Sequence, residues 1–341
     1  MKKLWILLAA VLALCLALTA CRTATAPDND TSAGDTATAE PPTDGGSQGG
    51  DQPPAGKTRV DLILFAGDVN MSGRGAAAEA TPVAEGHAYE FRAVSDPTKL
   101  YALDGSFGAA EQKSGGLSDS AKRASQGSLV PAFCEAYYQR TGTPVVAVSA
   151  SEGGATIANW LPSNGKVEDA IARMEAAKAY IDASGTYEVG HILLVWCQGE
   201  SDAAAGTDRS TYVTRSTTVL RALMRRGVET CMVIQSGDVP GVDDEANASL
   251  HEAQKELCGK DKAFVLISVL FGQESERMEG GAYTQTAYNE VGADAGTNAG
   301  IYLENPATYK EPEPPKEPVE AVEEDQFAGN PIDLPRDEWN H

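Results

Sequence analysis

Residues 62–75 read LILFAGDVNMSGRG, and this stretch decides the fold. Leu62 to Ala66 is an unbroken apolar run, and Gly67-Asp68-Val69-Asn70 interrupts it before Gly73 and Gly75. An apolar run of that length closed by glycine predicts a buried parallel strand ending in a tight strand-to-helix turn. Ligands of open α/β sheets bind beyond the carboxyl ends of the strands, so chemistry is expected at this turn. Four further runs of the same kind follow, at 145–149, 191–196, 230–235 and 264–269. Between them lie helical patterns. Within 166–183, Val167, Ile171, Met174, Ala177 and Ile181 recur on one face. Residues 209–225, 247–257 and 285–295 are patterned alike. Five β-rich runs alternating with helices predict an α/β domain, a five-stranded parallel sheet with helices on both faces. Residues 75–125 have no clear period and are expected to lie as loops over the carboxyl edge of the sheet.

The turn also carries a family resemblance. Gly67, Asn70, Met71, Ser72, Gly73, Arg74 and Gly75 resemble the first block of the SGNH hydrolases. The likeness is to their sialate O-acetylesterase-like branch, carbohydrate esterase family six, whose block reads G-Q-S-N-M-[AS]-G-R-G. Further blocks follow in the family's order. Trp196-Cys197-Gln198-Gly199-Glu200-Ser201-Asp202 resembles W-x-Q-G-E-x-D. Gly153-Gly154-Ala155-Thr156-Ile157 and the stretch from Gly127 to Phe133 resemble two glycine blocks. Tyr283-Thr284-Gln285, Tyr288, Asn289 and Gly292 match the last block, D-x-x-H-Y-T-Q-x-x-Y-N-x-x-G. The resemblance implies a three-layer α/β/α, flavodoxin-like SGNH domain and no cofactor or metal. It further implies an oxyanion and substrate site drawn from Gly67, Asp68, Asn70, Gly127, Gly153, Gly154, Gln198, Gly199 and Glu200. Gln198 is then the side-chain donor to the oxyanion and Glu200 its ordering neighbour.

The same alignment removes the triad. The nucleophile position holds Val69, the base position Ala282 and the acid position Glu279. Valine has no lone pair with which to attack a carbonyl, and alanine cannot take a proton. Asp68 stands where the family has glutamine, and an unpaired carboxylate there is expected to oppose developing negative charge. The four histidines, His87, His191, His251 and His341, fall in a loop, at a strand start, in a helix pattern and at the last position. None is placed as a substitute base. Three functions stay open. One is a non-catalytic binder of acetylated glycan, with Trp160, Trp196 and Tyr283 either stacking on sugar or packing in the core. The second is an acetylesterase using a relocated nucleophile such as Ser72, Ser151 or Cys197. The third is a scaffold whose interface lies outside the cleft.

The remaining segments place the domain. Lys2 and Lys3 precede an apolar stretch too short for a comfortable membrane span, a secretion-signal pattern over 1–21. It ends in Leu18-Thr19-Ala20-Cys21, which resembles a bacterial lipoprotein cleavage box and implies lipid on Cys21 at the outer face of a membrane. Residues 22–57 are rich in Thr, Ala, Gly, Pro and Asp and predict a disordered tether. Residues 58–305 form the domain. Residues 306–341, with repeated Glu-Pro, predict an extended acidic tail. The formal net charge of −22 excludes nucleic acid and anionic lipid surfaces as ligands, since both require a basic footprint. Cys134, Cys197, Cys231 and Cys258 match no zinc spacing. Cys231 and Cys258 could pair, with buried free thiols the favoured state.

Overall fold

The computed structural model describes residues 56–273 and 277–314. Strand β1 (Thr58–Gly67) is the axis of the fold, and from Val60 onward every residue is buried. Its neighbours are β4 (Val145–Ser151) on one side and β5 (Tyr187–Cys197) on the other, both parallel to it. Beyond β5 lie β6 (Thr230–Ile234) and β7 (Phe264–Ser268), also parallel. Beyond β4 lie β2 (Ala88–Phe91), parallel, and β3 (Leu100–Ala102), antiparallel, giving the order β3-β2-β4-β1-β5-β6-β7.

A parallel strand between two neighbours must bury both faces, and alternate residues of β1 do so in two separate cores. Val60, Leu62, Leu64 and Ala66 pack into one core. That core is closed by α3 (Lys166–Ala183), α5 (Arg209–Met224) and α6 (Asp244–Lys260). Ile63 and Phe65 pack into the other, under α2 (Val130–Thr141) and α7 (Gln285–Glu304). Each fully buried Leu, Ile or Phe stabilises the fold by about 1.5–3 kcal/mol. This is the expected three-layer α/β/α domain. The sheet has two strands more than the five expected, because 75–125 supplies β2 and β3 rather than loops alone. Both are short, β3 forming one edge of the sheet and β2 lying next to it. Glu90 points inward from β2 and breaks the apolar run, its carboxylate satisfied by Gly108 N at 2.9 Å and Arg92 Nε at 2.7 Å.

Two helices exceed their sequence reading. The α2 segment carried no helical expectation, and α7 runs nine residues beyond 295. These two helices pack on each other along Gly292, Gly296 and Gly300. A Cβ on Gly296 would stand 2.2 Å from Phe133 O, and one on Gly292 2.3 Å from Leu129 O. The three glycines thus bring the two helix backbones together, and tertiary packing offsets their low helix propensity. The domain also extends past residue 305, its expected end. Tyr309 packs edge-on to Tyr302 and donates to Leu266 O at 2.9 Å, so it anchors this segment against β7 while most of 306–314 stays exposed. The expected signal, Cys21, most of the tether, and tail residues 315–341 lie outside the described residues.

Candidate active site

The three central strands stop level with one another. Gly67 pairs with Ser151 of β4 and with Cys197 of β5, so the loops at 68–72, 152–156 and 198–202 leave the sheet side by side. Gly67 is required there. Its φ is +146°, and a Cβ would stand 1.8 Å from Cys197 O. Asp68 follows, fully buried, at the N-cap of the one-turn helix α1 (Val69–Ser72), and its carboxylate joins all three loops. Oδ1 accepts from Val69 N and Gly154 N at 2.8 Å each, and Oδ2 accepts from Ser201 N at 2.8 Å. Burial pushes its pKa up, while these amide bonds favour the charged form. Asp68 is therefore not the unpaired charge expected from its position. It is a clamp, and the amides of Val69 and Gly154 are committed to it.

Beside the clamp lies a pocket of about 80 Å³. Val69, Val239, Pro240, Met278, Ala282 and Tyr283 give it a mostly apolar wall, and Asn70 and Glu200 give it a polar one. The nucleophile and base positions of the resemblance, Val69 and Ala282, thus line one pocket. Glu279, at the acid position, faces Ala282 across a two-residue hairpin ladder, Met278–Glu279 with Ala282–Tyr283. It lines an adjoining cleft of about 410 Å³, which shares Arg74, Ala282 and Tyr283 with the pocket.

The polar wall is a chain of buried groups. Tyr288, from α7, donates to Asn70 Oδ1 at 3.1 Å, and Asn70 Nδ2 donates to Glu200 Oε1 at 2.6 Å. Glu200 opens the short helix α4 (Glu200–Ala205) and is 6 % exposed. Among the described residues its Oε2, buried, has no hydrogen-bond partner. Burial, reinforced by the neighbouring Asp68 charge, pushes its pKa up to about 8.

Other expected site residues lie elsewhere. Gln198 is fully buried away from the pocket. Its Nε2 donates to Asp202 Oδ2 at 2.5 Å and to Ala155 O at 3.2 Å, so it offers no donor to an oxyanion. Gly199 is the N-cap position of α4, and Gly127 pairs with Gly75 in a short ladder. Gly153 N donates to Asp119 Oδ2, which Arg74 Nη2 also meets, at 2.6 Å. Trp160 and Trp196 are fully buried and pack edge to face at 5.0 Å, which settles them as core residues rather than sugar platforms. Tyr283 lines the pocket but its hydroxyl donates to Phe271 O.

The relocated nucleophiles fare no better. Burial, with Glu200 and Asp68 adding to it, pushes the Cys197 thiol well above its usual range. Ser72 Oγ and Ser151 Oγ lie 3.1 Å apart, and nearby Lys122 donates to the carbonyl oxygens of Ser72 and Gln126. His87 pairs with Glu135, and His191 with Glu229. His251 lies 3.8 Å from Asp238, with its pKa pushed down by burial. Among the described residues no group of three or more His, Cys, Asp or Glu could hold a metal ion. All four cysteines of the domain are free and buried.

Sequence reading missed the Asp238-Val239-Pro240 wall and Met278. They carry no chemical signature and reach the pocket only because the segment after β6 and the hairpin before α7 meet there. Tyr288 was legible as a matched letter, but its bond to Asn70 was not.

Comparison with known proteins agrees with this architecture. The family described as "Carbohydrate esterase, sialic acid-specific acetylesterase" matches residues 59–284. Among solved structures, a protein of Arabidopsis thaliana is similar at 17 % identity with a TM-score of 0.53, covering 73 % of this chain and 99 % of its own. That likeness concerns the fold alone. A carbohydrate acetylesterase from Xanthomonas citri is similar at 17 % identity with a TM-score of 0.48, covering 71 % of this chain and 56 % of its own. No curated protein matches the chain.

Proposed function

The chain belongs to the sialic acid-specific acetylesterase family of carbohydrate esterases, and from that premise we propose that it has kept the family's acyl-glycan site for binding and given up the chemistry. The observation that carries this reading is the pairing of Val69 with Ala282 on the walls of one pocket. Acyl transfer needs a nucleophile and a base facing each other, and here two methyl-bearing side chains occupy those places. In a serine protease, loss of either partner alone costs on the order of a million-fold in kcat. Ser72 bonds Ser151 and the Asp119 carboxylate, which is held by Arg74 in an ion pair, and Cys197 is buried with its thiol pushed up.

The pocket supports binding because it is small, apolar on one wall, polar on the other, and continuous with a larger polar cleft. An acyl group fits the first and a sugar body the second. Glycan binding at the outer face of a bacterial membrane, through lipid on Cys21, is the setting that the leader supports.

The test is acetate release from acetylated xylooligosaccharide and an aryl acetate. The full chain is compared with a variant carrying Val69→Ser, Glu279→Asp and Ala282→His. A silent native chain beside a working triple variant is the expected result. Acetate release by the native chain, lost on substituting Ser72, Ser151 or Cys197, would establish the esterase with a relocated nucleophile instead.

A further inference from the structure

We propose that Glu200 is the pocket's ligand-binding donor, a neutral carboxyl whose Oε2–H bonds the carbonyl oxygen of an acetyl ester or acetamide seated between Val69 and Ala282. This rests on the binding reading above and names the feature of the ligand that is recognised.

The assignment follows from an account of the hydrogens around the pocket. Tyr283 donates to Phe271 O, and Tyr288 to Asn70 Oδ1. Asn70 donates to Glu200 Oε1, and Arg74 donates to Gly73 O and Asp119 Oδ2. The backbone amide of Val69 serves Asp68 and that of Val239 serves Asn247. Each of these groups directs at least one hydrogen at a protein acceptor, Arg74 and Asn70 keeping further N–H groups. Glu200 differs. Its Oε1 accepts from Asn70, so in the acid form the proton sits on Oε2, the oxygen without a partner.

The surroundings keep that proton in place. Among the described residues no cation pairs with Glu200, and a buried carboxylate without one is costly. Asp68 faces it from the β1 turn and Asp202 from its own helix. Asp238 lines the pocket from the segment after β6. The phenols of Tyr283 and Tyr288 stay protonated, both pushed up by burial. Arg74 is the pocket's one lining cation among the described residues, and it is held by Asp119. The neighbouring charges of Asp68 and Asp202 therefore favour its neutral form, as does its own burial.

Size and polarity select the acyl group. The pocket's volume, about 80 Å³, is roughly half that of the ~150 Å³ apolar cavity that takes benzene. It has room for a group of a few heavy atoms and none for a sugar ring. A carboxylate on the ligand would meet Glu200, Asp238 and, in the adjoining cleft, Glu79 and Glu279, whereas an uncharged carbonyl meets the free donor.

Calorimetric titration of the purified full chain tests this with three probes: O-acetylated xylotriose, the same trisaccharide after deacetylation, and N-acetylated chitotriose. The first against the second reads the acetyl group, and the third separates an acetamide from an ester. At about pH 6 the O-acetyl or N-acetyl probe binds at least about tenfold tighter than the bare sugar, the worth of one good hydrogen bond. Between about pH 6 and about pH 9.5 the native chain loses about tenfold as Glu200 ionises, with far-UV spectra recorded at both pH values to follow the fold. Glu200→Gln, whose amide still donates, binds within about threefold of native at the lower pH and shows no such loss. Acetyl-selective binding that is independent of pH in the native chain would overturn the donor assignment and leave the binding function standing. No binding of any probe at either pH would overturn both.

Discussion

Replacing Glu200 by glutamine should make the protein more stable at alkaline pH and flatten its pH dependence. In the folded state the pKa of Glu200 is about 8, against 4.5 for the unperturbed group. The folded state therefore binds a proton more tightly than the unfolded one, and stability must fall as pH rises through this interval. The fall begins near the unfolded value and is complete above the folded one. Every tenfold gain in proton affinity is worth about 1.4 kcal/mol, so the whole effect is on the order of 5 kcal/mol. Asp68, whose pKa is also raised, acts in the same direction. Glutamine keeps an oxygen for Asn70 Nδ2 and carries no charge at any pH. Urea unfolding of both proteins, read from the fluorescence of buried Trp160 and Trp196, gives stability at each pH. Near pH 4.5 the two should be about equal, and by pH 8 the variant should lead by several kcal/mol. Parallel stability curves, or a variant weaker than native at pH 8, would refute the picture of a neutral buried acid.

Three other outcomes follow from named contacts. Asp68→Ala leaves the amides of Val69, Gly154 and Ser201 without their acceptor. It should cost about 2–4 kcal/mol, and hydrogen exchange should quicken at Gly154 and Ser201 while amides deep in β1 stay protected. Gly296→Ala, favourable by propensity in an isolated helix, should instead destabilise by about 1–3 kcal/mol, because its Cβ would stand 2.2 Å from Phe133 O. A melting temperature at or above native would contradict that packing. The four free thiols are buried and should resist alkylation by iodoacetamide until denaturant is added. Rapid labelling at Cys134, Cys197, Cys231 or Cys258 of the native chain, read by peptide mass, would refute it.

What the sequence revealed, and what it hid, follows from how the information is encoded. The five longer parallel strands were legible because burial on both faces demands continuous apolar runs, and 62–66 is one. The α3 boundaries were legible because one face alone is buried and the period is clean. The two short strands β2 and β3 were not, since three or four residues, in β2 interrupted by Glu90, carry no periodic signal. The far half of α7 was hidden because Gly296 and Gly300 read as helix breakers until α2 is laid against them. At the site, the losses at Val69 and Ala282 were visible letter by letter, and so was their meeting in one place. The state of Asp68 was not. An aspartate in a turn can be an exposed charge or a clamp, and only the loops after β4 and β5 decide which. The same holds for Gln198, whose partner Asp202 lies one helical turn away on the face that turns from the pocket.

The level ending of β1, β4 and β5 also dictates when the site can form. Asp68 bonds residues 86 and 133 positions away along the chain. Closing such loops costs entropy that local contacts do not repay, so these bonds cannot guide early folding. They become available only once three parallel strands are in register. The pocket is thus a late product of folding. A chain arrested with β5 undocked would hold much of its helix and none of its binding surface, with β1 lacking a neighbour along one edge.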